Sequence, residues 1–496
     1  MTGARRLSVV EDPVTRVADL IDPADVPPAL AARPLGGISA DSRSIRPGDA
    51  FFAIPGVRGD GLAYVDQAVA KGAAIIVAER APGALPPAVG FVRVADSRAA
   101  LSRAAARFYP RQPGTIVAVT GTSGKTSVAF FARQLWARLG FRAASVGTIG
   151  IVSDAINVYG SLTTPDPVAL HRSLDELARS GITHLAMEAS SHGLDQKRLD
   201  GVRLAAAAFT NISRDHLDYH ATPQAYMAAK LRLFGSLLAP GAPVVVDPDE
   251  AGAAEVMAVV RARALNLFDV GAHGAAIRLR TWSREGFATR LALSRGGREY
   301  DVRLPLTGDF QVANALVAAG LCIATGGDAA AVFKALERLE GAPGRLERIG
   351  ERRGAPVFVD YAHKPDALEK ALATLRPFVP GRLILVFGCG GDRDAGKRPI
   401  MGEIAHRLAD VVIVTDDNPR SENPTLIRAA ILAQAPGAIE CADRMEAITR
   451  GVAMLESGDA LLIAGKGHET GQIIGDRTLP FSDGEAARAA LKDAAA

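Results

Sequence analysis

A chain of 496 residues is longer than one hydrophobic core usually organises, so several domains are expected, and three is the working number. Its 57 lysines and arginines against 54 aspartates and glutamates leave a formal charge of +3, too small to imply a nucleic-acid or membrane-surface partner; any anionic ligand has to be held by local clusters. Cys322, Cys389 and Cys441 are far apart and form no CxxC pair, which argues against a disulfide framework or zinc site and for a reducing compartment.

The N-terminal MTGARRLSVVEDP interrupts its short apolar run with Glu11 and Asp12, and no later apolar stretch reaches the roughly 18 residues of a membrane span, so a cytoplasmic protein is expected. Residues 1–112 contain β-like runs, AFFAI and AAIIVAE, around the polar turn DSRSIRPGD, and end in YPRQPG, whose prolines and glycine suit a linker. From TIVAVT onward the pattern is buried strand, glycine-rich turn, then the helix-like SVAFFARQLWARLG, which Gly140 stops. Strands alternating with helices predict a mostly parallel α/β sheet. APGR, residues 342–345, marks a second boundary. Beyond it LILVFG, VVIVTD and ALLIAG read as strands, each followed by a polar loop: CGGDRDAGKR, DNPRSENP and KGHE. Ligands of open parallel sheets bind at the carboxyl ends of strands, so these loops are expected to converge on one site.

TIVAVTGTSGKTS places Gly121, Thr122, Ser123, Gly124, Lys125 and Thr126 between a strand and a helix. Glycines let backbone wrap around phosphates, the helix start directs N–H groups at them, Lys125 reaches the outer phosphates and Thr126 offers a magnesium ligand. Val119 stands where the GxxxxGK[ST] pattern wants glycine, so the loop is of the TGTxGKT type. Downstream, Glu188 ends the apolar run HLAME, where a carboxylate can hold magnesium. FTNISRDHLDYH supplies His216 and AAKLRLF supplies Lys230; taken singly, these read as a surface histidine and an ordinary helix charge.

TGTSGKT, MEASSHG, TNISRDHLDYH and AAKLRLF in this order, followed by DYAHKPD, GCGGDRD and GKGHE, resemble the Mur ligase family over nearly the whole chain. The resemblance implies an ATP-dependent, amide-forming enzyme of three α/β domains. These are a UDP-substrate-binding domain at 1–112, a central ATP-binding P-loop domain with a mostly parallel sheet at 113–344, and a C-terminal Rossmann-like amino-acid-binding domain at 345–496. It implies ATP and Mg2+, with Thr126, Glu188, His216 and a carbamylated Lys230 at the metals, and Lys125, Glu188, His216 and Lys230 as the catalytic set. Asn314, Arg345 and Asp360 match positions that complete the nucleotide contacts. Ser42, Thr163, Thr164, Ser190, Gln196 and Arg198 match positions that bind UDP-N-acetylmuramoyl-L-alanyl-D-glutamate, and Leu162 stands where some relatives carry asparagine. A monomer is expected.

Family members differ mainly in the amino acid they add, and DNPR at 417–420 resembles the signature of those adding meso-diaminopimelate. The chemistry is readable in the residues themselves: the far end of that amino acid carries an ammonium and a carboxylate, whereas lysine has the ammonium alone. Arg420 and Arg393 can take the carboxylate, Asp417, Asn418 and Glu469 can face the ammonium, and Pro419 and Gly465 shape the turn and leave room for backbone contact. A phosphoryl-transfer kinase and a nucleotide-dependent sensor of wall precursors remain as alternatives, and the folate-adding ligase shares the ATP loop but not DNPR or the DSR segment.

Overall fold

The computed structural model describes residues 15–494 except 57, 58, 159, 161 and 217; the N-terminal run MTGARRLSVVEDP lies outside them. Among the described residues three open sheets follow one another, with a small hairpin near the end. The first holds β1 (Ile38–Ser39), β2 (Ala50–Phe52), β3 (Ile75–Ala78) and β4 (Gly90–Arg93), all parallel in that order.

The large middle sheet is built from β5 (Thr115–Thr120), β6 (Ala143–Gly147), β7 (Gly150–Ser153), β8 (Asn157–Val158), β9 (His184–Glu188), β10 (Ala206–Phe209), β11 (Pro243–Val246), β12 (Asn266–Gly271), β13 (Ile277–Glu285), β14 (Ala288–Arg295) and β15 (Arg298–Leu304). Their order is β15-β14-β13-β12-β11-β10-β5-β9-β6-β7-β8. From β13 to β6 the pairing is parallel; β14, β15, β7 and β8 add antiparallel edges. TIVAVT is apolar on both faces because both are covered: Val117 and Val119 enter one core with the helices Lys125–Arg138 and Asp309–Ala324, while Ile116 and Ala118 enter the other with Leu170, Leu174 and Leu185. Sitting between β9 and β10, β5 brings its glycine-rich loop up against both neighbours.

The third sheet runs β16-β17-β21-β18-β19-β20, from β16 (Glu347–Arg352), β17 (Ala355–Asp360), β18 (Leu383–Phe387), β19 (Val411–Val414), β20 (Ile439–Glu440) and β21 (Ala460–Ala464); only β16 is antiparallel. The runs LILVFG, VVIVTD and ALLIAG are β18, β19 and β21, so their three polar loops leave adjacent carboxyl ends as the sequence predicts. The hairpin β22 (Gly471–Ile474) and β23 (Arg477–Pro480) folds back over one of these loops.

YPRQPG and APGR are irregular, as expected of connections. Side chains nevertheless cross them. Lys197 pairs with Asp96, Ser102 Oγ donates to Lys197 O at 2.6 Å, and Lys364 Nζ lies 3.6 Å from Asp215 Oδ1. Phe287, in the β13–β14 turn, packs on Phe358 of β17 with ring centroids 5.9 Å apart.

Candidate active site

The loop after β5 owes its shape to two left-handed glycines. Gly121 has φ +147°, and a Cβ there would lie 1.9 Å from Thr210 Oγ1; Gly124 has φ +85°, and its Cβ would lie 2.3 Å from Asn314 Oδ1. Thr210 and Asn211 follow β10 and lock the loop: Thr122 N–H donates to Asn211 O at 2.9 Å, Ser123 N–H to Asn211 Oδ1 at 3.1 Å, and Thr210 Oγ1 to Ser123 O at 2.6 Å. The helix Lys125–Arg138 then starts with its first-turn N–H groups lacking helical acceptors, which is the anion-binding end. Lys125 Nζ donates to Gly121 O (2.9 Å) and Thr122 O (2.8 Å); burial lowers its pKa, against the attraction of Glu188 and Asp215.

Lys230 reaches the same carbonyl from the helix Pro223–Arg232, donating to Gly121 O at 2.7 Å with its Nζ 4.2 Å from the Tyr226 ring centroid. It is 1% exposed, and burial, reinforced by Lys125, pushes its amine down to about 6. A lysine in that state is largely a free base at neutral pH.

Glu188, at the end of β9, is 2% exposed; its carboxylate accepts Thr148 N–H at 2.7 Å and Thr148 Oγ1–H at 3.2 Å. Thr126, buried in the first turn of the helix Lys125–Arg138, and Glu188, at the end of β9, present hard oxygen donors. No cluster of three or more His, Cys, Asp or Glu suited to a metal occurs among the described residues. The donors present fit magnesium, which takes one or two protein oxygens and completes its shell with phosphates and water, better than a metal needing an all-protein cage. His216 is half exposed with φ +54° and packs against His192 (4.9 Å between ring centroids) and Tyr226 (6.1 Å); burial lowers its pKa, against the pull of Asp215.

Two clefts adjoin this centre. One, of about 690 Å³, is lined by Ser123, Gly124, Asn314 and Asp360, so the predicted nucleotide residues on either side of the 342–345 boundary share a wall. Asp360 accepts Leu346 N–H and Ala362 N–H, with its carboxyl raised by burial; Arg345 instead lays its guanidinium 5.1 Å from the Tyr361 centroid. The other, of about 1140 Å³, spans the first and second sheets and is lined by Ser42, Gln196 and Arg198 together with Arg43, Arg46 and Arg98. Thr164 is tied to it through Arg198 Nη1 donating to Thr164 O at 2.6 Å, and Ser190 N–H donates to Thr164 Oγ1 at 3.0 Å. Thr163 shares a 3.0 Å hydroxyl contact with Thr148, so it stands nearer Glu188 than the cleft floor. Leu162 is exposed.

At the third sheet the loops converge. Asp417 and Asn418 are buried; Arg420 has φ +53° and is held there by its N–H donating to Ile473 O (3.0 Å) and Gly475 N–H donating to Arg420 O (2.7 Å). Its Nη1 donates to Gly391 O at 2.8 Å, bringing the guanidinium against the loop that carries exposed Arg393. Pro419 is buried, and Gly465, at φ +117°, would bring a Cβ within 2.8 Å of Asp417 Oδ2. Asn418 Nδ2 donates to Glu469 Oε2 at 2.9 Å. Burial raises the Asp417 carboxyl, against the attraction of Arg444 and Lys466. Arg444 and Asp483, both fully buried, form a bidentate pair (2.7 and 2.8 Å) that also fixes Ala464 O. Arg444→Met strands the Asp483 carboxylate, so urea unfolding is expected to show a loss of about 3–5 kcal/mol; an unchanged midpoint would contradict this.

Residues 34–109 match the model described as Mur ligase family, catalytic domain, residues 119–322 that of the Mur ligase middle domain, and residues 344–467 that of the Mur ligase glutamate ligase domain. A curated relative from Bradyrhizobium diazoefficiens, named UDP-N-acetylmuramoyl-L-alanyl-D-glutamate--2,6-diaminopimelate ligase, is 60% identical over 96% of this chain and 99% of its own. The chain belongs to the Mur ligase family. A relative of the same name from Mesorhizobium japonicum is 58% identical over 93% of this chain and 95% of its own. A solved structure bearing that name superposes with TM-score 0.72 at 32% identity, covering 97% and 99% of the two chains. A Thermotoga maritima MurF ligase in complex with ADP, at 20% identity, TM-score 0.58 and coverage of 92% and 97%, shares the fold.

Within this Mur ligase the sequence reading left several neighbours of the site unassigned. Asn211 and Tyr226 contact the phosphate loop across about a hundred residues of sequence, and only TNISRDHLDYH and AAKLRLF, which contain or follow them, pointed to those stretches. Lys466 was part of the quoted GKGHE yet carried no role.

Proposed function

We propose that this Mur ligase joins meso-diaminopimelate to UDP-N-acetylmuramoyl-L-alanyl-D-glutamate with hydrolysis of ATP, in cytoplasmic peptidoglycan precursor synthesis. The observation that carries the reading is Arg420, an arginine fork held in a left-handed conformation at the carboxyl end of the third sheet, beside Asn418 and Glu469. Both charge signs at one turn suit a zwitterionic side-chain end. Relatives 55–60% identical to this chain that are named as diaminopimelate ligases support it.

The reaction follows from the layout. ATP in the cleft beside Asn314 and Asp360 transfers its terminal phosphoryl group to the glutamate carboxylate, giving an acyl phosphate; the amine attacks the carbonyl carbon, and phosphate leaves from the tetrahedral intermediate as the amide forms. Carboxylate, nucleotide and moving phosphoryl group are all anionic, so the helix start and Lys125 neutralise charge that grows as transfer proceeds. Thr126 and Glu188, with His216 and a carbamylated Lys230, would hold magnesium, which supplies further neutralisation of phosphate charge. Ser42, Gln196 and Arg198, in a cleft rich in arginine, suit the uridine diphosphate. On this reading residues 1–112, 113–344 and 345–496 bind the UDP substrate, ATP and the amino acid respectively, and the protein works as a monomer.

Phosphate release from the purified protein with ATP, magnesium and the UDP substrate tests the proposal: release dependent on meso-diaminopimelate and not on L-lysine is expected. ADP formation without phosphate release, the phosphoryl group staying on the UDP substrate, would favour a kinase-type transfer. Arg420→Ala or Arg420→Lys is expected to lower kcat/KM for meso-diaminopimelate about 10- to 150-fold, the worth of a charge-assisted hydrogen bond, with KM for ATP and the UDP substrate unmoved. Unchanged efficiency in Arg420→Ala would reduce the turn to structure only.

A further inference from the structure

Asp417 and Glu469, taken alone with the Asn418 amide, would make a cation pocket. Such a pocket attracts a bare ammonium as readily as a zwitterion, and so would favour lysine's side-chain end. The protein has placed a cation of its own there. Lys466 leaves the end of β21, is fully buried, and brings Nζ to 3.0 Å from Asn418 Oδ1, 3.1 Å from Glu469 Oε2 and 3.8 Å from Asp417 Oδ1. Asn418 Oδ1 also accepts Ile473 N–H at 2.9 Å, and Gln472 Nε2 donates to Asp417 O at 2.8 Å, so the hairpin β22–β23 and Lys466 hold the DNPR turn from two sides.

Of the other charges packed against these loops, Arg444 pairs with Asp483, Arg428 with Asp416 and Glu440, and Arg398 with Glu422, while Asp392 accepts from Ser421 beside Arg420 and Arg393. At the turn itself Asp417 and Glu469 face Lys466, with Arg420 and Arg393 alongside. Resting on the reading given under Proposed function, we infer that Lys466 is the specificity-determining charge of the amino-acid pocket: its built-in ammonium makes the pocket favour a side-chain end carrying a carboxylate and oppose a lone ammonium. Arg420 supplies the attractive contact; Lys466 supplies the repulsion that discrimination between two similar ligands needs. Two like charges a few ångströms apart in a partly buried site repel strongly enough for about tenfold discrimination even when screening removes most of the interaction.

Lys466→Met keeps the length of the side chain and removes the charge. The test measures kcat/KM for meso-diaminopimelate and for L-lysine in wild type, Lys466→Met and the double variant Lys466→Met/Glu469→Gln, with KM for ATP and the UDP substrate as controls. The preference for meso-diaminopimelate over L-lysine is expected to fall by about tenfold or more in Lys466→Met, in part through a gain in lysine use. The double variant, which restores the net charge, is expected to lose that gain. A merely structural lysine would depress both amino acids alike and leave the preference in place, which overturns the inference. Where Lys466→Met does not fold, Lys466→Gln, which keeps an uncharged hydrogen-bond donor toward Asn418 and Glu469, decides: a preference that falls toward lysine supports the inference, and an unchanged preference overturns it. Wild-type protein that releases phosphate with neither amino acid rejects the ligase reading, and the inference falls with it; wild type that uses both equally rejects the inference and leaves ligation standing.

Discussion

Lys125→Ala is expected to abolish ligation, with kcat down by about three orders of magnitude or more. The side chain leaves the first turn of the helix and turns back over the loop, where its Nζ is held by two carbonyls, Gly121 O and Thr122 O. Those bonds fix the ammonium at the mouth of the phosphate loop before any ligand arrives, so little reorganisation is needed when charge develops on the moving phosphoryl group. Burial lowers the Lys125 pKa, and Glu188 and Asp215 oppose that shift by favouring the charged form. Alanine leaves the glycines, Asn211 and Thr210 in place, so the loop keeps its shape and ATP still has its amides. Kinetics with saturating substrates separate the roles: a loss confined to KM, with turnover intact, would make Lys125 a binding residue only.

The framework of this site was legible because its signals are local. TIVAVT is apolar at every inner position since helices cover both faces of β5, and GTSGKT sits where the strand must turn into a helix, so pattern and geometry agree without long-range information. LILVFG, VVIVTD and ALLIAG were readable for the same reason. β17, which carries Asp360 on its carboxyl end, showed in the sequence only through DYAHKPD, and the meander β13–β15 gave little signal because a largely exposed strand such as IRLRTWSRE is rich in polar and charged residues. What stayed hidden depends on distant pairs. Nothing near Arg444 announces Asp483, and nothing in GKGHE says that its lysine is buried against Asn418 while its histidine packs on Tyr361. The Lys364–Asp215 pair joins two quoted motifs, DYAHKPD and SRDH, whose mutual reach no spacing rule provides.

Lys230→Ala is expected to be severely impaired and partly restored by short carboxylic acids such as acetate, and the geometry gives a reason beyond the motif. Two lysines approach one carbonyl, Gly121 O, which cannot neutralise two ammonium groups; Lys230, being 1% exposed, has its amine pushed down to about 6 by burial. A free amine adds carbon dioxide: its lone pair forms the N–C bond, a proton leaves to solvent, and the resulting carbamate is an anion beside Lys125 instead of a competing cation. A carboxylic acid bound in the space left by alanine supplies the same charge, and a fully active alanine variant would sink the carbamate assignment. The unmodified side chain carries a stability signature as well. With the folded-state pKa lowered from 10.5 to about 6, the unfolded chain binds the extra proton between those values, so stability from this group rises with pH across that window and is lowest below it. Lys230→Met is therefore expected to melt above bicarbonate-free wild type at pH 7, by an amount on the order of a few kcal/mol, with the gap closing as pH approaches 10. Thermal melts across that range decide: a gap that widens with pH would show that Lys230 is held as an ammonium, and would remove the free amine on which carbamylation depends.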